Sequence, residues 1–207
     1  QLKESLAKTR ASARVQVISE AVPFALSTLW EGLSCPMLVV VPRPEDARRL
    51  HEQLALWSAE ESRVLHFPEK ETLPFERLAT DIGTTQQRLQ ALSSLVDQGR
   101  PPVMVVASTS AVAQKTIDAE TLESTRMTVR RGQQIDLDET LDSWRRMGYR
   151  FEAAVDGPGL VSRRGGILDI FAPDWESPAR IELWGDEIDT IRLFDPATQR
   201  STELVEY

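Results

Sequence analysis

The sequence predicts an α/β protein in two parts: a doubly wound parallel sheet, followed by a small β-rich α+β domain. Up to about residue 118, apolar runs typical of buried strands alternate with runs of helical period, which is the pattern of a doubly wound sheet. Beyond that point, short strands separated by turn residues surround a single helix. We therefore predict two domains, 1–118 and 119–207.

The first half contains elements of both periods in alternation. Two of its strand-like runs, 37–41 and 103–107, are continuous and β-branched, as expected for parallel strands covered on both faces. Pro44 suits the first turn of a helix that carries its apolar residues on one side. The predicted strands are 15–18, 37–41, 64–67 and 103–107, and the predicted helices are 21–30, 44–57 and 84–96.

The second half has one well-marked helix. Asp136 is a suitable N-cap, Glu139 follows three residues later, and Gly148 comes just past the end of the apolar pattern. Three strand-like runs follow, with turn residues between them. The predicted strands are 166–171, 179–184 and 190–194, and the predicted turns lie at 173–174, 177–178 and 185–186.

The composition excludes several classes of site. Cys35 is the single cysteine, which rules out an internal disulfide framework, and neither His51 nor His66 has a partner at metal-ligand spacing. The net charge of −8 argues against a general nucleic-acid binder. The chain has no apolar run of about 18 residues, no signal core and no initiator Met. We expect a cytoplasmic protein, trimmed from a longer one, without metal or cofactor.

The sequence lacks a phosphate loop, in which glycine amides wrap phosphates and a lysine neutralises them. The segment 19–28 after the first predicted strand has neither glycine nor lysine, and its Glu20 would repel phosphate. The dipeptide Gly-Lys occurs nowhere in the chain, and no histidine lies near Ser108 or Ser110 to activate a nucleophile. We expect no ATP hydrolysis and no catalytic residue.

The predicted strand 179–184 carries a candidate contact surface. Ile181 and Leu183 alternate with Arg180, Glu182 and Trp184, so the last three share one face if the aliphatic residues face the core. An exposed tryptophan flanked by arginine is typical of an interface hot spot. The alternative is that the tryptophan folds over a neighbouring strand as ordinary cover.

The strand before it offers a second arginine. Alternation counted from Leu168 would turn Arg164 inward, so either the pair 165–166 forms a bulge that turns it outward, or Arg163 is the contact instead. The same alternation makes Asp169 a structural acid with satisfied hydrogen bonds and not a catalyst.

Three stretches together resemble one family. They are 67–76 (FPEKETLPFE), 105–111 (VVASTSA) and 157–195, which contains RGGILDIF and ARIELWGDEID. They resemble the amino-terminal region of bacterial transcription-repair coupling factors, which is itself similar to the excision-repair protein UvrB. The resemblance covers nearly the whole chain. UvrB carries a working phosphate loop, so the lack of one favours the coupling factors.

The resemblance implies a degenerate helicase-like domain followed by a UvrB-like domain that recruits UvrA, in nucleotide excision repair, to RNA polymerase stalled at DNA damage. The family's UvrA-contacting arginines and aromatic residue match Arg164, Arg180 and Trp184, although the aromatic is often phenylalanine. Arg163 and Glu182 are further candidates. RNA polymerase, double-stranded DNA and ATP would be bound by other parts of an intact translocase, whose own C-terminal domain would mask the UvrA-binding face at rest.

Two other functions remain open. A UvrB-like ATP-dependent DNA-damage binder needs a phosphate loop and a tyrosine-rich hairpin, and this chain has only Tyr149 and Tyr207. A purely structural or autoinhibitory domain of the translocase would pack its arginine and tryptophan residues on other parts of the same protein.

Overall fold

The computed structural model describes residues 12–70, 82–97, 99 and 101–206. The chain divides into two compact units, Gln1–Thr116 and Ile117–Tyr207, and each has hydrophobic clusters of its own. The first unit contains a three-stranded parallel sheet and the second a six-stranded mixed sheet. The predicted α/β class is confirmed. Residues 71–76 of the first family-like stretch lie outside the described residues.

The first unit alternates strands and helices along the chain. The strands are β1 (Met37–Val41), β2 (Val64–Phe67) and β3 (Met104–Ser108), and the helices are α1 (Val22–Leu33), α2 (Pro44–Trp57), α3 (Ile82–Val96) and α4 (Thr109–Ala113). The sheet order is β1-β3-β2. Short 3-10 turns at Ser19–Ala21 and Glu61–Arg63 precede α1 and β2.

Helices cover both faces of the central strand β3, which is buried along its whole length. On one face, Met104 and Val106 pack with Trp30 of α1 and with residues of α2. On the other face, Val105 packs with Ala91 of α3. Strand β3 is therefore continuously apolar because neither of its faces meets water, as the sequence predicted.

Two predictions for this unit are wrong. Residues 15–18 form no strand; Val15 and Ile18 are exposed, and no described strand pairs with them. The strand β1 is covered on one face only, so Leu38 and Val40 are exposed. The reason is that β1 and β2 are the two edge strands of the described sheet, and α3 packs against β2 and not against β1.

The second unit contains six strands in sequence order, of which only the first pair is parallel. The elements are α5 (Ala119–Ser124), α6 (Leu137–Arg146), β4 (Arg150–Phe151), β5 (Leu160–Arg164), β6 (Ile167–Phe171), β7 (Ala179–Trp184), β8 (Glu187–Phe194) and β9 (Ser201–Val205). The three predicted strands are confirmed, whereas β4, β5, β9 and the short helix α5 were not predicted. No helix in the described ranges is long and apolar enough to cross a bilayer.

The helix α6 covers one face of this sheet, called here the inner face. It begins as the sequence predicts, because an Asp136 carboxylate oxygen accepts a hydrogen bond from the Glu139 backbone N–H at 2.9 Å. Its residues Leu141 and Trp144 are buried. They pack in one cluster with the inner-face residues Val161, Leu168, Ile170, Ala179, Ile181, Ile188 and Ile191.

Two tight hairpin turns set which side chains reach the opposite, outer face. Residues 165–166 join β5 to β6, and 185–186 join β7 to β8. Gly165 and Gly185 have φ of +63° and +64°, a left-handed conformation that glycine adopts without strain. Because β5 to β8 are successively antiparallel, both turns lie at the same end of the sheet, called here the turn end.

We expect the fragment 117–207, produced alone, to fold and to unfold cooperatively. The physical reason is that its main cluster and the smaller cluster on its outer face are built only from its own residues. Thermal unfolding followed by circular dichroism, together with amide dispersion in NMR spectra, checks this. A broad melt with collapsed dispersion would contradict it.

Candidate protein-docking site

The outer face of the second unit is covered at one end only. At the end away from the hairpin turns, Val155, Leu160, Phe171 and Phe194 form a small buried cluster. The loop before β9 supports it, because the Gln199 side-chain amide donates to the Val155 carbonyl at 3.0 Å. The turn end carries charged and aromatic side chains instead.

Trp184 is the most exposed large hydrophobic residue of this region. It ends β7, lies opposite Glu187 across the hairpin, and is 85% exposed. Its neighbour Leu183 turns inward and packs against the α6-covered cluster. Trp184 therefore points away from the core, as the alternation predicts, and it does not serve as cover for a neighbouring strand.

Arg164 lies on the same outer face. The turn at 165–166 has two residues, so Arg164 pairs with Ile167, which itself alternates with the inward Leu168. The predicted bulge is not present; alternation cannot be counted through a hairpin turn, and the turn alone directs Arg164 outward. Its side chain is 55% exposed, and Nη2 donates to Asp169 Oδ2 at 2.7 Å.

Arg163 occupies the other side of the sheet. It pairs with the inward Leu168, and its Nη1 lies 3.8 Å from Asp138 Oδ1 in the first turn of α6. The structure therefore does not bring Arg163 together with Trp184.

Asp169 is fully buried in the middle of β6, between Ser162 of β5 and Arg180 of β7. Arg180 binds it with two parallel bonds, from Nε to Oδ1 at 2.7 Å and from Nη2 to Oδ2 at 2.9 Å. A buried carboxylate is tolerated when its charge is paired and its oxygens accept hydrogen bonds. Both conditions hold here, in agreement with the structural role expected from the sequence.

Arg180 is less accessible than the sequence suggests. Its side chain is 16% exposed, its Nη1 donates to the Gln199 carbonyl at 3.4 Å, and its Cζ lies 4.8 Å from the centre of the Phe194 ring. Hydrogen bonding to Asp169 raises the pKa of Arg180. Arg180 shares the outer face with Trp184, as the alternation predicts, but it is not an exposed side chain: the register places it against a buried acid, which accepts two of its five N–H donors.

Glu182 lies between Arg180 and Trp184 along β7 and is half-buried. The Thr190 hydroxyl donates to its Oε2 at 2.9 Å. We call Arg164, Arg180, Glu182 and Trp184, with Asp169 beneath them, the arginine–tryptophan face. From the usual spacing of strands, Arg164 and Trp184 lie roughly 10 Å apart or slightly more.

Sequence reasoning missed two outer-face residues. Arg192 is exposed opposite Arg180, and Leu204 is exposed opposite Arg192. The alternation of Ile191 and Leu193 could have placed Arg192. No signal could have placed Leu204, because four of the five residues of β9 are exposed and show no alternation.

The first unit shows no phosphate-binding turn in the part of the chain that the structure describes. Two residues, 42–43, join β1 to α2, and β3 runs directly into α4. Ser108 is buried and caps α4, because its hydroxyl accepts from the Ala111 N–H at 3.1 Å. Neither turn contains glycine. Within the same described residues, no three His, Cys, Asp or Glu side chains converge as metal ligands.

Comparisons with known proteins place this face inside a recognised domain. Residues 127–207 match the family model described as the UvrB interaction domain. The chain is 32% identical over 185 residues to a transcription-repair-coupling factor of Myxococcus xanthus, covering 87% of the chain and 15% of that protein. It is 35% identical over 196 residues to that of Staphylococcus aureus, covering 87% and 16%, and 28% identical over 171 residues to that of Escherichia coli, covering 83% and 14%. The chain thus spans only about a sixth of the length of these relatives.

We expect the chain not to bind Mg-ATP, since it has neither the glycine amides nor the lysine that hold phosphates. Isothermal titration at protein concentrations of tens of micromolar should give no heat of binding. A saturable isotherm with a micromolar dissociation constant would contradict the expectation.

We expect Ile181→Ala and Trp184→Ala to differ sharply in stability. Ile181 is buried against α6, so its truncation should lower the free energy of unfolding by about 2–5 kcal/mol. Trp184 is exposed, so its truncation should change that free energy by less than about 0.5 kcal/mol. Urea unfolding measures both; equal losses would mean that Trp184 belongs to the core.

Proposed function

The chain belongs to the family of transcription-repair coupling factors, as a module of their amino-terminal region, and we propose that its arginine–tryptophan face is a docking site for the nucleotide excision repair protein UvrA. In this proposal the chain performs no chemistry itself. It recruits UvrA to RNA polymerase stalled at damaged DNA, while the parts that bind polymerase, DNA and ATP lie elsewhere in the intact factor.

The observation that carries the proposal is the exposure of Trp184. A tryptophan that is 85% exposed at the open end of a sheet contributes little to the stability of its own domain. To a partner, the same side chain offers a large and rigid contact area of the kind that dominates the free energy of binding at interfaces. Residues 127–207, which match the UvrB interaction domain, include every residue of the face.

Arg164 supplies the polar part of the same contact. A guanidinium that is half exposed and held at one end can bind a partner's carboxylate or carbonyl groups in a fixed orientation. Glu182 lies level with Arg164 but on β7, with Ile167 of β6 between them, and it would disfavour acidic groups of a partner at its own position. The combination suits a protein surface with an apolar pocket and an adjacent acidic group.

We propose that the first unit is a degenerate helicase-like domain. Parallel strands with helices on both faces of β3 are consistent with that origin, and the missing Gly-Lys dipeptide accounts for the loss of nucleotide chemistry. The same reasoning disfavours a UvrB-like ATP-dependent damage binder.

An autoinhibitory role is compatible with the same face. If another part of the intact factor, such as its C-terminal domain, covers Trp184 at rest, UvrA and that part would compete for one surface. The present chain lacks about five-sixths of the relatives' length, so its binding to UvrA reports the face directly.

We expect Trp184→Ala and Arg164→Ala each to weaken UvrA binding by roughly 2 kcal/mol, about thirtyfold in dissociation constant. The reason is that truncation of an interface hot-spot residue typically costs that much binding free energy. Binding of purified UvrA to the immobilised chain, measured by surface plasmon resonance, checks this. The melting temperatures of both variants should stay close to that of the unchanged chain.

Matched controls are available in the same chain. Trp57 is also exposed, but it lies on α2 of the first unit, and Arg146 is exposed on α6 at the far side of the second sheet. Trp57→Ala and Arg146→Ala should leave UvrA affinity within about twofold. If the Trp184→Ala variant folds and still binds UvrA with unchanged affinity, the proposed function is contradicted.

A further inference from the structure

Two arginines of the arginine–tryptophan face come from strands that are not neighbours. Arg164 ends β5 and Arg180 lies in β7, with β6 between them. Asp169 of β6 is the residue that joins them, since it accepts hydrogen bonds from both side chains. One buried carboxylate therefore links three strands at the base of the face.

The two arginines share this carboxylate unequally. Arg180 occupies both oxygens through Nε and Nη2, and it also contacts Gln199 and Phe194, so its position is fixed from several sides. The side chain of Arg164 makes one hydrogen bond, from Nη2 to Oδ2 at 2.7 Å, and no second side-chain hydrogen bond joins it to the described residues. Arg180 is thus held within the sheet, whereas Arg164 is tethered at one point and otherwise open to a partner.

Tethering changes what a partner must do to bind Arg164. An arginine side chain has many rotamers, so fixing it in place costs conformational entropy that opposes binding. Where part of that ordering has already occurred in the free protein, less of it opposes binding. The carboxylate also holds the guanidinium at the sheet surface, beside the row that leads to Trp184.

We propose that Asp169 and Arg180 are positioning residues, which hold Arg164 in the orientation that meets the partner and carry little of the contact themselves. This inference rests on the proposed function and assigns separate roles within its site. It places the direct contact on Arg164 and Trp184. Arg180 is required because it fixes the Asp169 carboxylate with two bonds and leaves Oδ2 able to accept a third.

The test is a double-mutant cycle on UvrA affinity. Asp169→Asn is close to isosteric but removes the charge and one acceptor, so it should release Arg164. We expect it to weaken binding roughly tenfold, the equivalent of one charge-assisted hydrogen bond. The same substitution should cost roughly tenfold in a Trp184→Phe background but less than about twofold in an Arg164→Ala background, where there is no side chain left to position.

A spectroscopic readout separates positioning from general loss of structure. In the free chain, Asp169→Asn should give the Arg164 Nε–H signal the narrow line and low order parameter of a mobile side chain. Backbone amide signals of β5 and β6 should keep their dispersion. Should Asp169→Asn fail to fold, Arg180→Lys takes its place in the same cycle, because lysine keeps a positive charge against the carboxylate but loses the paired bonds.

The outcomes distinguish this inference from the proposed function. An equal loss from Asp169→Asn or Arg180→Lys in all three backgrounds overturns the positioning role, and so does an ordered Arg164 signal in the variant. An unchanged affinity on loss of the Asp169 charge, with Trp184→Ala still weakened, overturns the positioning role alone. Full binding by Trp184→Ala overturns the docking function itself.

Discussion

The ion pair between Asp169 and Arg180 is the interaction on which the open end of the second unit depends. A carboxylate in the middle of a sheet loses its hydration, so it must obtain equivalent hydrogen bonds from the protein. Arg180 provides two of these bonds from β7, and Arg164 provides a third from β5. The need to satisfy one buried acid therefore arranges two basic side chains on a face that would otherwise be a row of mobile, solvated groups.

The outer face is divided between an end that stabilises the fold and an end that we propose binds a partner. At the covered end, Phe171 and Phe194 are buried under loops and contribute to the fold. At the turn end, Trp184 is left in water although an aromatic of that size would stabilise a core if it were covered. Arg180 lies at the border, since its guanidinium contacts the Phe194 ring on one side and Asp169 on the other. Buried contacts thus extend along β7 as far as Arg180, four residues before the exposed tryptophan.

The sequence predicted most elements whose environment is uniform. Strand β3 is buried on both faces and α6 has a capped start, so both carry clear patterns. The prediction from sequence failed where pairing with another strand decides whether a segment becomes a strand. Residues 15–18 include three apolar side chains but have no neighbouring strand among the described residues, and β9 pairs at the edge of its sheet without alternating burial. The exposure of Trp184 could be predicted from the alternation of side chains along a strand alone. The direction of Arg164 could not, because it depends on the length of a turn, and the depth of Arg180 depends on its register against Asp169.

Separate cores have an evolutionary consequence. Each unit buries clusters built from its own residues, so a substitution inside one of these clusters acts first on the packing of its own unit. Under the proposed function, a lineage can then lose a phosphate loop from the first unit by drift while selection continues to maintain the second. The proposed recognition surface can in this way be inherited after the nucleotide chemistry of the first unit is gone.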